Sequence, residues 1–389
     1  MAREVVIIGG GISGLTVARN LKSQAGDLVN ITVVTKDYHY IGGPTRPLLL
    51  TNEESYDRII RGYDELGKEG INVVVGHAYS IDTANRRVYI NETVMGNKTL
   101  IINYDYLVLA TGVVYDGSSI NGYDKYWFRN ANVYDPGRVN VLKSRIWSAE
   151  GGNIIVYAPK APYRCAPAPT ETALLIHTVL RHRGIRDRFR IIHIDANEST
   201  QPPVIADVVK ELYAKAGIEL VTKQEIIEVT DREVITRSGE KYPYDILAML
   251  EPNRAPSFII NAGLGNPWVE VRAPNNLRTA KFDDVFAVGD IAKLPYPKNQ
   301  EIAFESALYA VNNILEDLGL DKRVSVQYGF LGWAYVGNVM GELSTLSVQF
   351  GFDYTQQPPK PMKDPEPRRD YTLQKDRWMQ TYLTRLFGY

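Results

Sequence analysis

The sequence predicts an α/β protein built from two βαβ units and closed by a C-terminal region that ends in an amphipathic helix. Three observations carry this. Val5-Val6-Ile7-Ile8 is an unbroken apolar run, as in a strand buried on both faces, and a glycine turn, a helical pattern and the strand Ile31-Thr32-Val33-Val34 follow it. The same order restarts near 151: Ile154-Ile155-Val156-Tyr157, a helical stretch from about Glu171 to His182, then Arg190-Ile191-Ile192-His193-Ile194. An apolar stripe at helical spacing runs through the tail, 371–389.

Taken in order, Leu15, Ala18 and Leu21, with Val17 beside them, give the first helix one apolar face. Short β patterns follow at Ile71–Val75, Arg87–Ile90 and Tyr106–Ala110. In the second unit, 204–216 reads as helix and 225–250 as short strands. Phe282–Asp290 is a strand and turn, and a helix is expected from about Ile302 to Leu318. The Pro- and charge-rich stretch 356–370 reads as a linker. These elements divide the chain into a discontinuous domain (1–112 and 270–325), a second domain (113–269) and a C-terminal region (326–389).

The length of 389 residues suits two or three domains. Lys and Arg number 44 against 45 Asp and Glu, so there is no basic field to recruit nucleic acid. A single cysteine excludes an internal disulfide and a cysteine-rich metal site, and no metal-ligand spacing is present. The start shows no signal peptide, and no apolar run is long enough to span a bilayer. A cytoplasmic or peripheral membrane protein is expected.

Gly9-x-Gly11-x-x-Gly14 lies between the first strand and helix. Its first glycine allows the tight turn, the second lets a diphosphate approach the backbone, and the third lets helix pack on strand. Ser13 and the helix N-terminus add donors. This is the fingerprint of a Rossmann-like dinucleotide site. The ribose-binding acid usual at the end of the second strand is missing; Thr35-Lys36-Asp37 stands there, so Thr35 and Lys36, or Asp37, take its place. The equivalent turn of the second unit, Ala158-Pro159-Lys160-Ala161-Pro162-Tyr163, has no glycine, and its prolines lack N–H donors, so no nicotinamide site is expected there.

Tyr106–Ala110 with Thr111-Gly112, and Val285–Val288 with Gly289-Asp290, resemble the two later FAD motifs of two-dinucleotide flavoproteins of the glutathione-reductase type. With Cys165-Ala166-Pro167-Ala168-Pro169-Thr170-Glu171 and Pro297-Lys298, the chain resembles the sulfide:quinone oxidoreductases and flavocytochrome c sulfide dehydrogenases over nearly its full length. The resemblance implies FAD on the first unit, held by Gly9, Gly11, Ser13, Gly14, Thr35, Lys36, Ala110, Thr111, Gly112, Gly289, Asp290 and Lys298. It implies a redox thiol at Cys165, Glu171 as its proton acceptor, Lys298 beside the flavin pyrimidine ring, and a membrane-binding tail. Phe330, Trp333 and Tyr335 are candidate quinone contacts by position.

Two departures stand out. The family's second sulfur-carrying cysteine is absent, and so is the cysteine that often attaches FAD near Asn121–Arg129, so FAD should be non-covalent. Arg164 and the nearby helix start should lower the Cys165 pKa and favour thiolate. In the tail, Trp378, Met379, Tyr382, Leu383, Leu386 and Phe387 form the stripe, with Lys375, Arg377 and Arg385 assigned off it, which suits an interfacial helix on a membrane surface. The expected activity is transfer of electrons from a reduced sulfur species through Cys165 and FAD to a quinone. The alternatives are a type II NADH:quinone dehydrogenase and an electron-transfer or sensing flavoprotein without sulfide turnover. A homo-oligomer is compatible with all three.

Overall fold

The computed structural model describes residues 1–94, 98–351 and 365–388, without the side chains of 330 and 349–351. The first unit opens with β1 (Arg3–Ile8), α1 (Ile12–Ala25) and β2 (Val29–Thr35) and continues through β3 (Ile71–Asp82), β4 (Arg87–Glu92), β5 (Thr99–Asn103), β6 (Tyr106–Leu109) and β7 (Val114–Tyr115). The second contains α2 (Val139–Ser148), β8 (Gly152–Ala158), α3 (Ala168–His182), β9 (Phe189–Asp195), α4 (Ala206–Ala216), β10 (Ile218–Val221), β11 (Ile246–Met249) and β12 (Asn253–Arg254). The chain then returns as β13 (Val269–Ala273), β14 (Asn276–Thr279), β15 (Val285–Ala287), β16 (Ala292–Lys293) and α5 (Gln300–Asp317). It ends with β17 (Gly329–Gly337), β18 (Ser344–Gly351) and α6 (Arg369–Phe387). Most of the expected linker 356–370 lies outside the described residues.

Ten strands form one sheet in the order β16-β13-β14-β15-β6-β1-β2-β3-β4-β5, so the first and third stretches of chain share a sheet. Its centre is parallel: β1 pairs with both β2 and β6, and β15 with β6. Strand order reverses at β1, which places a crevice at the carboxyl ends of β1 and β6. Val5 and Ile7 face one core and Val6 and Ile8 the other, which is why the run reads as continuously apolar. The second unit is a four-stranded parallel sheet, β10-β9-β8-β11. A short ladder between β7 and β12 joins the first chain crossing to the end of the second unit.

The tail is the main correction to the sequence reading. The stripe expected to meet a membrane is buried within the protein: Met379, Tyr382, Leu383, Leu386 and Phe387 are all nearly inaccessible, and four of them join the core of α1 and β1. Gly42 makes room for Met379, since a Cβ there would lie 1.9 Å from its methyl. Lys375 belongs to this face, one helical turn before Met379, and is buried as well. No described helix is long and apolar enough to cross a membrane.

Candidate flavin and thiol site

The glycine turn explains itself atom by atom. A Cβ on Gly9 would come within 2.2 Å of the Ala110 carbonyl, and one on Gly14 within 1.9 Å of the Gly9 carbonyl. These two glycines let β1, β6 and α1 close on one another. Gly11 differs: a Cβ there would meet nothing within 4 Å. Gly11 is the N-cap of α1, and no side chain caps that terminus. Unmet backbone N–H groups therefore face open space at a helix N-terminus, the arrangement that the diphosphate of FAD requires. The fit extends to the third segment, where Gly289, at φ +71°, lies against Ser13 and its N–H donates to Ser306 Oγ at 2.9 Å. Thr35 is buried at the end of β2, with Lys36 exposed beyond it. Thr111 and Gly112 follow β6, on the same edge of the sheet.

Cys165 stands where the second unit meets this edge. Its N–H donates to the Lys298 carbonyl at 2.7 Å, and Arg164 Nε lies 3.4 Å from the Asp290 carboxylate. The Arg164 N–H is held by Asn253 Oδ1 of β12 at 2.7 Å. Cys165, Arg164, Asp290 and Lys298, which are far apart in sequence, thus converge. Cys165 has φ +61°, a left-handed conformation uncommon for a residue with a side chain.

The electrostatics depart from expectation. Burial pushes the Cys165 thiol up to about 11; Lys375 and Arg164 act to lower it, and Asp290 raises it further. The helix begins only at Ala168, after Cys165, and the Ala168 N–H is taken by the Cys165 carbonyl at 2.8 Å. The expected thiolate is therefore not the resting form. Lys298 also behaves differently. Its ammonium turns back to donate to the carbonyls of Asp290 (2.7 Å) and Ala292 (3.2 Å) and lies 3.9 Å from the centre of the Trp268 ring. Burial lowers its pKa to about 8, against the opposing pull of Asp290. Lys298 braces the Gly289-Asp290 turn rather than pointing a free cation outward.

Glu171, in the first turn of α3, accepts from Lys375 Nζ at 2.8 Å and from the Tyr335 N–H at 2.9 Å. Both partners of this ion pair are almost fully buried, at 1% and 3% exposure. Burial draws each toward its neutral form, and the charge of the other opposes that. Lys375 also sits 3.4 Å from the centre of the Tyr335 ring. Trp333 and Tyr335, proposed from sequence as quinone contacts, lie inside the protein, with Trp333 against Tyr371. The Phe330 side chain is outside the described residues.

Two contributors escaped the sequence reading. Lys375 was assigned to the wrong helix face, although its spacing to Met379 was the available signal. Arg46, between Thr45 and Pro47 in a glycine-containing apolar loop, is 4% exposed; it donates to the carbonyls of Tyr134 (2.8 Å) and Ile41 (2.9 Å).

In the second unit the end of β9 is tied to the turn that follows β8. Asp195, at the end of β9, is fully buried, and burial raises its pKa to about 6. Asn197 covers it, donating its side-chain amide to Asp195 (2.8 Å) and to the Pro159 carbonyl (2.9 Å) while accepting from the Ala161 N–H (3.0 Å).

Comparison with known proteins agrees with this architecture. Residues 3–148 match the pyridine nucleotide-disulphide oxidoreductase family, and residues 140–251 the central part of the flavoprotein chain of flavocytochrome c sulfide dehydrogenase. The mitochondrial sulfide:quinone oxidoreductase of Mus musculus is 24% identical over 374 residues, covering 91% of this chain and 79% of the relative. The sulfide-quinone reductase of Aquifex aeolicus is 24% identical over 349 residues, covering 82% and 77%. In structure, the sulfide:quinone oxidoreductase of Aquifex aeolicus matches with a TM-score of 0.84 at 19% identity, over 100% of this chain and 92% of that one. NDH2 of Plasmodium falciparum in complex with NADH matches at 0.75 and 14% identity, over 100% and 98%. With these matches and an FAD-compatible glycine cradle, the chain is an FAD-dependent oxidoreductase that is similar over most of its length to the sulfide:quinone oxidoreductases, with a pyridine nucleotide-disulphide oxidoreductase region at residues 3–148.

Proposed function

We propose that the chain passes electrons from a reduced sulfur species to a quinone, with Cys165 as the thiol that takes up sulfur. One observation carries this reading: the Cys165 turn is hydrogen-bonded to Lys298 and ion-paired to Asp290, on the edge of the sheet that carries the FAD cradle. The unmet N–H groups at Gly11 would hold the FAD diphosphate, with Ser13 and Gly289 packed beside it. FAD, when bound, accepts two electrons and releases them singly or as a pair.

Because the thiol rests protonated, sulfur uptake begins with its deprotonation. Lys375 and Arg164 stabilise the thiolate, and Glu171, linked to the thiol through Lys375, is the carboxylate proposed to take the proton. Joining hydrosulfide to that thiolate forms a persulfide and releases one proton and two electrons. A lipid-dissolved quinone requires contact with a membrane. The exposed Trp127 and Phe128, with Lys125 and Arg129 against the neighbouring rings, form the face suited to it now that the tail stripe is buried.

The turn tied by Asn197 and Asp195 speaks against NADH as donor. The raised thiol pKa and the single cysteine favour, as a second reading, a flavoprotein that carries electrons without turning over sulfide. Anaerobic titration of the bound flavin separates these readings. Bleaching by sulfide and not by NADH is expected. Bleaching by NADH alone overturns the proposal in favour of a dehydrogenase, and bleaching by neither favours the second reading.

A further inference from the structure

The left-handed conformation of Cys165 is held at three points. Its N–H donates to the Lys298 carbonyl (2.7 Å), and its carbonyl accepts from the Ala168 N–H (2.8 Å). The third point lies one residue earlier, where the Arg164 N–H donates to Asn253 Oδ1 at 2.7 Å. The first two contacts are backbone to backbone; Asn253 supplies the third with a side chain. A residue with a Cβ at positive φ persists where its surroundings over-determine it. Asn253 is itself firmly seated. It is 9% exposed, in β12, opposite Tyr115 of β7. Its side-chain nitrogen donates to the Glu251 carbonyl at 2.9 Å, which turns the oxygen toward Arg164. Glu251 is 0% exposed and anchored in turn: its carboxylate accepts from the side-chain amides of Asn130 (2.9 Å) and Asn132 (3.0 Å), from the Tyr123 hydroxyl and from the Arg138 guanidinium. A filled polar network therefore runs from the second unit to the residue before the thiol.

We propose that Asn253 is a positioning residue for the Cys165 thiol: by holding the Arg164 N–H, it keeps the next residue left-handed and its Sγ at the junction with the FAD-binding edge. The backbone hold stands on the contacts above, whereas its consequence for catalysis rests on the reading of Cys165 as the sulfur-accepting thiol. Asn253 acts through the Arg164 backbone and is not itself a reacting group. Without its oxygen the Arg164 N–H loses its partner, and the turn relaxes to find another. The φ of Cys165 then returns to the negative range that residues with a Cβ prefer. That rotation turns the Cα–Cβ bond and carries Sγ away from its present charged neighbours, Lys375, Arg164 and Asp290. It also carries the thiol out of burial. A reaction that needs thiol and flavin in fixed register slows steeply when one of them shifts, on the order of a hundredfold per ångström.

The test uses the FAD-loaded full chain and begins without sulfide. Cys165→Gly should raise the melting temperature by about 2 °C where Asn253 is present and leave it unchanged in Asn253→Ala, where no strain remains to relieve. Equal shifts in the two backgrounds, or none in either, overturn the proposal. Alkylation of the thiol by iodoacetamide reads its position: in Asn253→Ala the pH profile should move down, toward that of an ordinary thiol, because burial is what holds it up. An unmoved profile also overturns the proposal. Flavin content should stay at the wild-type level. Rapid mixing with sulfide then reads the consequence. The saturating rate of flavin bleaching should fall roughly tenfold in Asn253→Ala and largely return in Asn253→Asp, which keeps the oxygen acceptor. If Asn253→Ala does not fold, Asn253→Ser, shorter by one bond, carries the same measurements. Failure of sulfide to bleach the wild type overturns the Cys165 reading, while the melting and alkylation results still decide the hold. Wild-type bleaching with an unchanged rate in Asn253→Ala overturns the positioning role alone.

Discussion

At Gly11, φ is −83° and a Cβ would meet nothing within 4 Å, so the folded chain itself does not require glycine there. Only a ligand approaching the backbone does. Gly11→Val should therefore fold, with a melting temperature for the flavin-free protein within about 2 °C of wild type, yet hold roughly tenfold less FAD. The flavin-to-protein absorbance ratio measures this. Gly14→Val, by contrast, should fail to fold, because its side chain would drive into the Gly9 carbonyl. Cys165 and Lys375 are coupled in a way that alkylation can read. With the thiol held near 11, alkylation by iodoacetamide should rise roughly tenfold per pH unit from neutrality toward that value. Removing the Lys375 cation takes away a charge that favours thiolate, so the profile should move to higher pH. Lys375→Met alone strands the Glu171 carboxylate and should cost about 3–5 kcal/mol of stability; the double variant Glu171→Gln with Lys375→Met removes both charges and is the one to titrate. An unmoved profile would show that Lys375 serves packing only.

The final helix, α6, changes its meaning between sequence and structure. Its apolar stripe was legible, since side chains at helical spacing have to be buried somewhere. The identity of the partner surface was not, because a stripe meets lipid and protein core with the same residues. What settles the matter is polar: Arg58 pairs with Asp376 (2.7 Å), the Tyr382 hydroxyl donates to Glu301 (2.6 Å) and Arg19 donates to the Arg385 carbonyl (3.0 Å). Burying Met379, Tyr382, Leu383, Leu386 and Phe387 at about 1.5–3 kcal/mol each contributes about 10 kcal/mol. That is comparable with the whole net stability of an ordinary domain, about 5–15 kcal/mol. Deleting residues 369–389 should thus yield aggregated or proteolysed protein rather than a soluble flavoprotein. Soluble yield and gel filtration measure this. A well-folded, flavin-bearing truncation would mean that α6 is dispensable.

Across the whole molecule, the legible parts were those fixed by local chemistry: the glycine turn, the buried parallel strands, and the short range of spacings that join them. The convergence of Cys165, Asp290 and Lys298 followed only from the resemblance, because β6 and β15 pair across a long stretch of intervening chain. Arg46 and Asn197 were invisible because their roles depend on carbonyls brought together by the fold. The edge strand β5 was missed because one of its apolar residues, Ile101, is more than half exposed. The tie that Asn197 makes within the second unit leads to a prediction at this scale. NADH should neither bleach the flavin nor protect the protein thermally, with no shift beyond about 1 °C at concentrations that saturate ordinary nicotinamide enzymes. A saturable NADH-dependent shift would show that the 159–161 turn opens.

The left-handed backbone at Cys165 has one more consequence. A residue with a Cβ at φ +61° costs on the order of 1 kcal/mol that glycine avoids. Cys165→Gly should therefore match or exceed the wild type in thermal stability, while Cys165→Ser, which keeps the Cβ, should not gain. A chain shaped by folding alone would carry glycine at this corner, as it does at Gly112 and Gly289. A thiol in its place is a handicap to the scaffold, of the kind that selection tolerates where a side chain has work to do.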